Sequence, residues 1–307
     1  MPGKNLINLP NMLTHFLPEI QNGNKQALAR SISAVENESP GYYELLKSLP
    51  SSDAPVIGIT GPPGAGKSTL VSAITSVLVR QNKRVAILCI DPSSPFHHGA
   101  FLGDRIRMNE WTGNEAVYIR SLATRGHLGG LHPKIFEIAD ILKAAPYDYV
   151  ILETVGIGQT EVDIAAIADC VALVLMPGTG DDIQALKAGI LEIADLFVVN
   201  KSDHAGAEQF LTNLRSSLQF GPREPEILQT IATEAKGIEE LVASIGKELK
   251  ARPKNPSARL AEKAFRLILE GKMKKIDKES LHREIQDAIQ LHPFNVYSFV
   301  ENWKPEK

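Results

Sequence analysis

The sequence predicts an α/β protein in which a mostly parallel sheet carries helices on both faces around a P-loop. Three observations predict it. A short apolar strand, Val56-Ile57-Gly58-Ile59, runs straight into Gly61-Pro62-Pro63-Gly64-Ala65-Gly66-Lys67-Ser68-Thr69, and helical apolar spacing follows from Leu70 to Val79. Beyond that unit, strand-like runs alternate with helical stretches, which is the pattern of a parallel sheet covered on both sides. The hydrophobic fraction, 43% of 307 residues, suffices for one large core with helices appended to it.

Taken in order, the apolar residues from Asn8 to Leu49 recur at helical intervals, broken at Gly23-Asn24 and at Ser39-Pro40-Gly41. An N-terminal helical region is expected over residues 1–50. The turn-rich linker Ser51-Ser52-Asp53-Ala54-Pro55 then opens a P-loop domain over residues 51–250. Its further strands are read at Arg84 to Asp91, Ala116 to Ser121, Tyr149 to Glu153, Val171 to Met176, Leu196 to Asn200 and Glu226 to Ile231. An amphipathic helix follows Ile238, and Arg252-Pro253-Lys254-Asn255-Pro256 interrupts the chain. The remainder, 251–307, reads as a helical arm with one block from Ser257 to about Ile289. Leu260, Ala264, Leu267, Ile268, Ile276, Leu281, Ile285 and Ile289 lie on one side of it. That stripe must be covered, by the chain's own helices or by a second copy, and a homodimer is the favoured outcome.

A net charge of −3, a pI near 6.3 and a mean hydropathy of −0.08 give no basic surplus of the kind that nucleic-acid or anionic-membrane binders carry. Protein and small-molecule partners are the expectation. The two cysteines, Cys89 and Cys170, sit in apolar strand-like runs and read as buried thiols in a reducing compartment. No run reaches transmembrane length, and Met1 to Phe16 has neither a signal-peptide core nor an Arg-rich transit bias, so the cytoplasm is expected.

Chemistry concentrates at the predicted strand ends. Gly61, Gly64 and Gly66 let the backbone curl until successive N–H groups face phosphate oxygens. Lys67 reaches the β- and γ-phosphates, Ser68 ligates Mg²⁺, and the helix starting there turns its positive end to the anion. Asn200-Lys201-Ser202-Asp203 follows an apolar strand, where a base-reading loop belongs. The Asp203 carboxylate can accept from both the ring N–H and the exocyclic amino group of guanine, a donor pair that adenine lacks. Ile231-Ala232-Thr233 occupies the place of a second base loop, in which the Ala232 amide faces the base oxygen and Ile231 stands where a serine is usual. Asp91, Asp104 and Glu153 lie at or just past strand ends and offer the hard oxygen that Mg²⁺ prefers. Gly156 fits a glycine whose amide senses the γ-phosphate.

The combination GPPGAGKST, DPSSPF, GDRIRM, RGHLGGL, ETVGIGQTEVD, MPGTGDDIQALKAGILEIAD and NKSD resembles the MeaB/ArgK family of GTPases. These act as chaperones of adenosylcobalamin-dependent acyl-CoA mutases such as methylmalonyl-CoA mutase. The likeness spans roughly Val56 to Asp203 and is looser in the helical flanks. It implies a P-loop G domain of the SIMIBI type with N- and C-terminal helical extensions, usually homodimeric, that binds GTP or GDP with Mg²⁺ and gates cofactor loading. It also implies that Asp91, Asp104 and Glu153 form the metal and hydrolysis cluster, and that Gly178 to Lys187 is an additional switch in which Lys187 crosses toward the nucleotide. Asp104 is the first candidate to orient the attacking water and Gln159 the second, because Ile157 rather than Gln follows Gly156. Arg105, Arg107, Arg120 and Arg125 flank the same loops as arginines that could stabilise developing charge. Two other activities remain open at this point, a metal-delivery GTPase and a small-molecule kinase. Against the first, His97-His98 is the one adjacent histidine pair and no Cys-x-x-Cys occurs.

Overall fold

Alternating side chains along each strand decide the architecture. In the computed structural model, which describes residues 13–91, 108–111, 113–123, 132–154, 164–178, 190–218, 226–251, 257–273, 276–291 and 294–303, Ile57 and Ile59 of the first strand face one layer while Val56 faces the other. Both faces are therefore apolar. The strands are β1 (Val56–Thr60), β2 (Val85–Asp91), β3 (Val117–Ala123), β4 (Tyr149–Glu153), β5 (Cys170–Leu175), β6 (Leu196–Asn200) and β7 (Glu226–Thr230). They form one seven-stranded sheet in the order β3-β2-β4-β1-β5-β6-β7. Every pairing is parallel, so the sheet is wholly rather than mostly parallel.

One face is covered by the P-loop helix α4 (Lys67–Arg80) and, after the next helices in the chain, by α8 (Ile238–Ala251). Leu70, Val71, Ile74 and Val77 of α4 meet Leu241 and Ile245 of α8 over Ile87, Ile151 and Val174. On the opposite face lie α2 (Lys25–Glu36) and α5 (Ile135–Ala144), which bury Leu28, Ile32 and Val35 with Ile138, Ile141 and Leu142 against Leu88, Val150 and Val171. Farther along that face, Phe210, Leu211 and Leu214 of α7 (Ala207–Leu218) pack on Leu173, Leu175, Phe197 and Val199. The short α6 (Ile190–Ile193) precedes β6.

The N-terminal residues form α1 (Phe16–Gln21), α2 and α3 (Tyr42–Ser48), broken where Gly23 and Gly41 take φ of +81° and +89°. Asn24 caps α2 by accepting from the amides of Gln26 and Ala27. Polar ties fasten this region to the sheet: Arg120 of β3 donates to Glu36 and Ser33, and Lys134 lies between Glu137 and Glu38 at 3.1 and 3.3 Å. Arg120, offered by the sequence as a charge for the nucleotide, thus braces α2 instead.

The chain divides into two compact units, Met1–Arg252 and Pro253–Lys307. The second contains α9 (Ser257–Met273), α10 (Lys278–Leu291) and α11 (Val296–Asn302). The single block read from the sequence is two helices, because the Asp277 carboxylate caps a new helix by accepting from the amides of Glu279 and Ser280. The helix α11 is an addition to that reading, capped in the same way by Asn295. Leu260, Phe265, Ile268, Leu269, Met273 and Ile289 of this unit stay exposed. Cys89 and Cys170 are both buried and are not joined in a disulfide.

Candidate nucleotide site

The site grows from the point where strand order reverses. From β1 the chain passes through α4 to β2, two places along on one side, whereas β5 pairs with β1 on the other, so β1 ends in a crevice between diverging connections. The loop Gly61 to Gly66 fills that crevice. A Cβ on Gly61, at φ +138°, would stand 2.0 Å from the Val174 carbonyl oxygen, and one on Gly66, at φ +86°, 2.5 Å from Asn200 Nδ2. Only glycine lets the loop lie this close to β5 and to the base-reading loop. Pro63 and Gly64 are exposed at the loop's tip, whereas Ala65 is buried beneath it. Lys67 and Ser68 open α4 with both side chains buried, and Thr69 turns outward.

Lys67 Nζ donates to the carbonyls of Gly61 and Pro62 at 2.8 and 3.0 Å, which folds its ammonium over the mouth of the loop. Ser68 Oγ donates to Glu153 Oε1 at 2.6 Å, and the Cys89 thiol stands 3.8 Å from Glu153 Oε2. Cys89 and Glu153 are register partners on adjacent strands, so the sheet itself brings the thiol to the carboxylate. Asp91 ends β2 two residues beyond Cys89, with its backbone at the same end of the sheet. Thr60 and Thr154 share a buried 2.9 Å hydrogen bond that ties the end of β1 to the chain leaving β4.

The second half of the site is built around Asn200. Its Nδ2 donates to the Ala65 carbonyl at 2.9 Å, and its Oδ1 accepts from Thr230 Oγ1 and from the Ala232 N–H, both at 3.1 Å. One amide therefore joins the P-loop to the end of β7 and to the middle of the 231–233 loop. The Ala232 N–H, which the sequence offers to a base oxygen, is turned onto Asn200. Ile231 and Lys236 form an antiparallel bridge that closes this loop, and Thr233 is exposed in it. Lys201 adopts φ +55° and lays its stem beside Gly66, its ammonium 3.8 Å from Met176 Sδ. Ser202 is braced on the Thr230 carbonyl, which leaves the Asp203 side chain exposed at the rim.

Of the predicted residues, the structure joins Lys67 to Gly61 and Pro62, Ser68 to Glu153, Asn200 to Ala65 and Ala232, and Lys201 to Gly66; Pro63, Gly64 and Thr69 lie in the same loop and helix start, and Asp203, Ile231 and Thr233 in the turns after β6 and β7. Asp104, Gly156, Gln159 and Lys187 lie outside the described residues, as do Arg105, Arg107 and Arg125. Reading from the sequence missed Thr60, Thr154, Cys89, Met176 and Thr230. All of them act through partners distant in the chain, and Thr230 alone had a local signal, its position just before Ile231-Ala232.

Ser68 Oγ in the first turn of α4 and Glu153 Oε1 at the end of β4 are buried oxygens joined by a 2.6 Å hydrogen bond, and both are hard donors of the kind Mg²⁺ takes. The glycine loop, the start of α4 and the Lys67 ammonium suit a polyphosphate.

A wholly parallel sheet with a P-loop at its switch point and a base-reading loop clasped to it by Asn200 defines a P-loop GTPase. The family model for the methylmalonyl Co-A mutase-associated GTPase MeaB matches residues 28–286, and the chain belongs to that family. It is 37% identical over 243 residues to the GTPase ArgK of Escherichia coli, covering 75% of this chain and 73% of ArgK. It is 34% identical over 261 residues to the mitochondrial methylmalonic aciduria type A homolog of Caenorhabditis elegans, covering 77% and 65%. Among solved structures, that of a LAO/AO transport system kinase superposes with a TM-score of 0.71 at 26% identity, over 93% of this chain and 92% of the other.

Proposed function

We propose that this chain hydrolyses GTP to GDP and phosphate, slowly alone and faster with a partner, and that the partner is an adenosylcobalamin-dependent acyl-CoA mutase. The observation that carries the hydrolytic part is the Ser68–Glu153 pair at the start of α4, beside the Lys67 ammonium. The family's name supplies the mutase. Ser68, Asp91, Asp104 and Glu153 would hold Mg²⁺, which when bound neutralises charge on the β- and γ-phosphates. Lys67 leaves the loop carbonyls for phosphate oxygens, and the amides of the loop hold the chain of phosphates in line. Asp104, with Gln159 as the alternative, orients the water, and Gly156 senses the γ-phosphate through its amide. On the other side, Asp203 reads the purine, Lys201 covers it, and Asn200 keeps the reading loop in register with the P-loop.

The client reads the difference between GTP and GDP through Gly99 to Arg107, Glu153 to Gln159 and Gly178 to Lys187, with Lys187 crossing toward the nucleotide. In that state the chaperone gates loading of the cobalamin cofactor and protects or reactivates the mutase. Residues 1–50, 51–250 and 251–307 serve as helical brace, GTPase domain and dimerisation arm, and the exposed Phe265, Ile268 and Ile289 supply the face for a second copy. Among the described residues no helix is long and apolar enough to cross a membrane, and we place the protein in the cytoplasm. The test is phosphate release from GTP with and without methylmalonyl-CoA mutase. A turnover raised at least about tenfold by the mutase supports the reading, and release that the mutase leaves unchanged contradicts it.

A further inference from the structure

The Glu153 carboxylate has two oxygens, and its bond to Ser68 engages one of them. Side chains two apart on a strand share a face, so Ile151 and Glu153 of β4 turn the same way, as do Ile87 and Cys89 of β2. That way is toward α4, because Ile87, Cys89 and Ile151 lie in the core with Leu70 and Ile74, and Glu153 meets Ser68. Parallel register pairs Ile87 with Ile151 and Cys89 with Glu153. The apolar column under the helix therefore ends in a thiol beside a carboxylate.

Glu153 is 6% exposed, and a buried carboxylate is costly unless donors serve it. Oε1 accepts from Ser68 Oγ at 2.6 Å, and Oε2 accepts from the Cys89 thiol at 3.8 Å. The backbone of Glu153 is already fixed on both sides, in register with Ile59 of β1 and with Cys89 of β2, and the Thr154 N–H donates to the Ile59 carbonyl. What stays adjustable is the twist of the carboxylate about its last bond, a torsion with broad, shallow preferences. A donor on each oxygen removes that freedom. A thiol suits the second place, since it packs as a small apolar group, 2% exposed here, and as a weak donor takes little of the carboxylate's charge.

We propose that Cys89 is a positioning residue for the divalent cation: its thiol sets the twist of the Glu153 carboxylate, so that Oε1 and Ser68 Oγ keep one arrangement for Mg²⁺. The inference rests on the assignment of Ser68 and Glu153 to Mg²⁺ above. Partners that orient a metal ligand tune metal affinity without touching the metal, so the effect falls on the Mg²⁺ requirement and spares nucleotide affinity measured without Mg²⁺.

The experiment compares the full chain with Cys89→Ala, Cys89→Ser, Glu153→Gln and Cys89→Ala combined with Glu153→Gln. Alanine and serine leave a gap of nearly the same size, and serine alone keeps a donor. Stopped-flow displacement gives the Mg²⁺ concentration that half-slows GDP release, and calorimetry in excess chelator gives GDP affinity without the metal. Cys89→Ala raises the Mg²⁺ midpoint about fivefold, Cys89→Ser raises it less than about twofold, and both keep metal-free GDP affinity within about twofold of the parent. In the Glu153→Gln background Cys89→Ala adds nothing, because the group it acts through has been changed. A Cys89→Ala midpoint equal to the parent's overturns the proposal. Equal shifts in Cys89→Ala and Cys89→Ser overturn it too, since a gap in the core would give that result with no part for the donor. A Glu153→Gln midpoint equal to the parent's overturns the metal assignment itself, and the inference falls with it. A raised midpoint in Glu153→Gln beside a parental one in Cys89→Ala overturns the inference alone, so the two failures are distinct.

Discussion

Asn200→Ala cuts the side chain that holds the two halves of the site together. Three hydrogen bonds disappear, to the Ala65 carbonyl, the Thr230 hydroxyl and the Ala232 amide. A hydrogen bond contributes about 1 kcal/mol net, and a buried group left without its partner costs about 1–3 kcal/mol. Thr230 is 1% exposed and Ala232 is 8% exposed, so water reaches neither easily after the truncation. The sum is a loss of about 3 kcal/mol in unfolding free energy, before any cavity is counted. Urea unfolding of the full chain followed by far-UV dichroism measures it, with calorimetry of GDP binding in parallel. The variant should unfold at clearly lower urea and bind GDP at least about a hundredfold more weakly, because the base loop is no longer fixed against the P-loop. A loss under 1 kcal/mol with unchanged GDP affinity would show that Asn200 is not the joint described here.

Four further outcomes are expected. Glu153→Gln leaves Ser68 facing a neutral amide, and the Mg²⁺ concentration needed to slow GDP release should rise at least about tenfold, read by stopped-flow displacement. Gly61→Ala forces a Cβ against the Val174 carbonyl at a φ of +138°, so soluble yield or nucleotide binding should be lost, as judged by expression and by GDP calorimetry. Burial pushes the Asp148 carboxyl up, but the Arg84 amide at 2.8 Å and the Lys83 ammonium at 3.0 Å outweigh it and hold the pKa below the ordinary 3.8. A folded value below the unfolded one stabilises the protein above the unfolded pKa and is lost as pH falls through the folded one; the deficit of Asp148→Asn, measured by melting, should therefore be present at pH 7 and narrow below about pH 4. Ile268→Glu on the exposed stripe of α9 should shift sedimentation from dimer to monomer with the melting of the first unit unchanged.

Much of the fold was legible because its signals are local. Most of the seven strands are short apolar runs, and the P-loop fixes where β1 ends and α4 begins. The break between α9 and α10 escaped notice because no proline or glycine falls between Met273 and Lys278 and Gly271 lies within α9; the Asp277 cap starts the new helix, and a single carboxylate is a weak signal in a charged helical stretch. In the site, the P-loop and NKSD were readable for the same reason. What was not readable is what joins them. Asn200 meets a hydroxyl 30 residues away and a carbonyl 135 residues away, and Cys89 meets a carboxylate 64 residues away. Nothing in the neighbourhood of either residue encodes those partners; the parallel register of the sheet does. Arg120 teaches the same lesson in reverse, since a residue beside a candidate loop is taken up by Glu36, 84 positions upstream.

The central claim is that the pocket selects guanine. Calorimetric titration of the full chain with GDP and with ADP, both in Mg²⁺, tests it most directly. The account predicts GDP binding at least about a hundredfold tighter, with the difference largely erased in Asp203→Asn. Equal or tighter binding of ADP would contradict it.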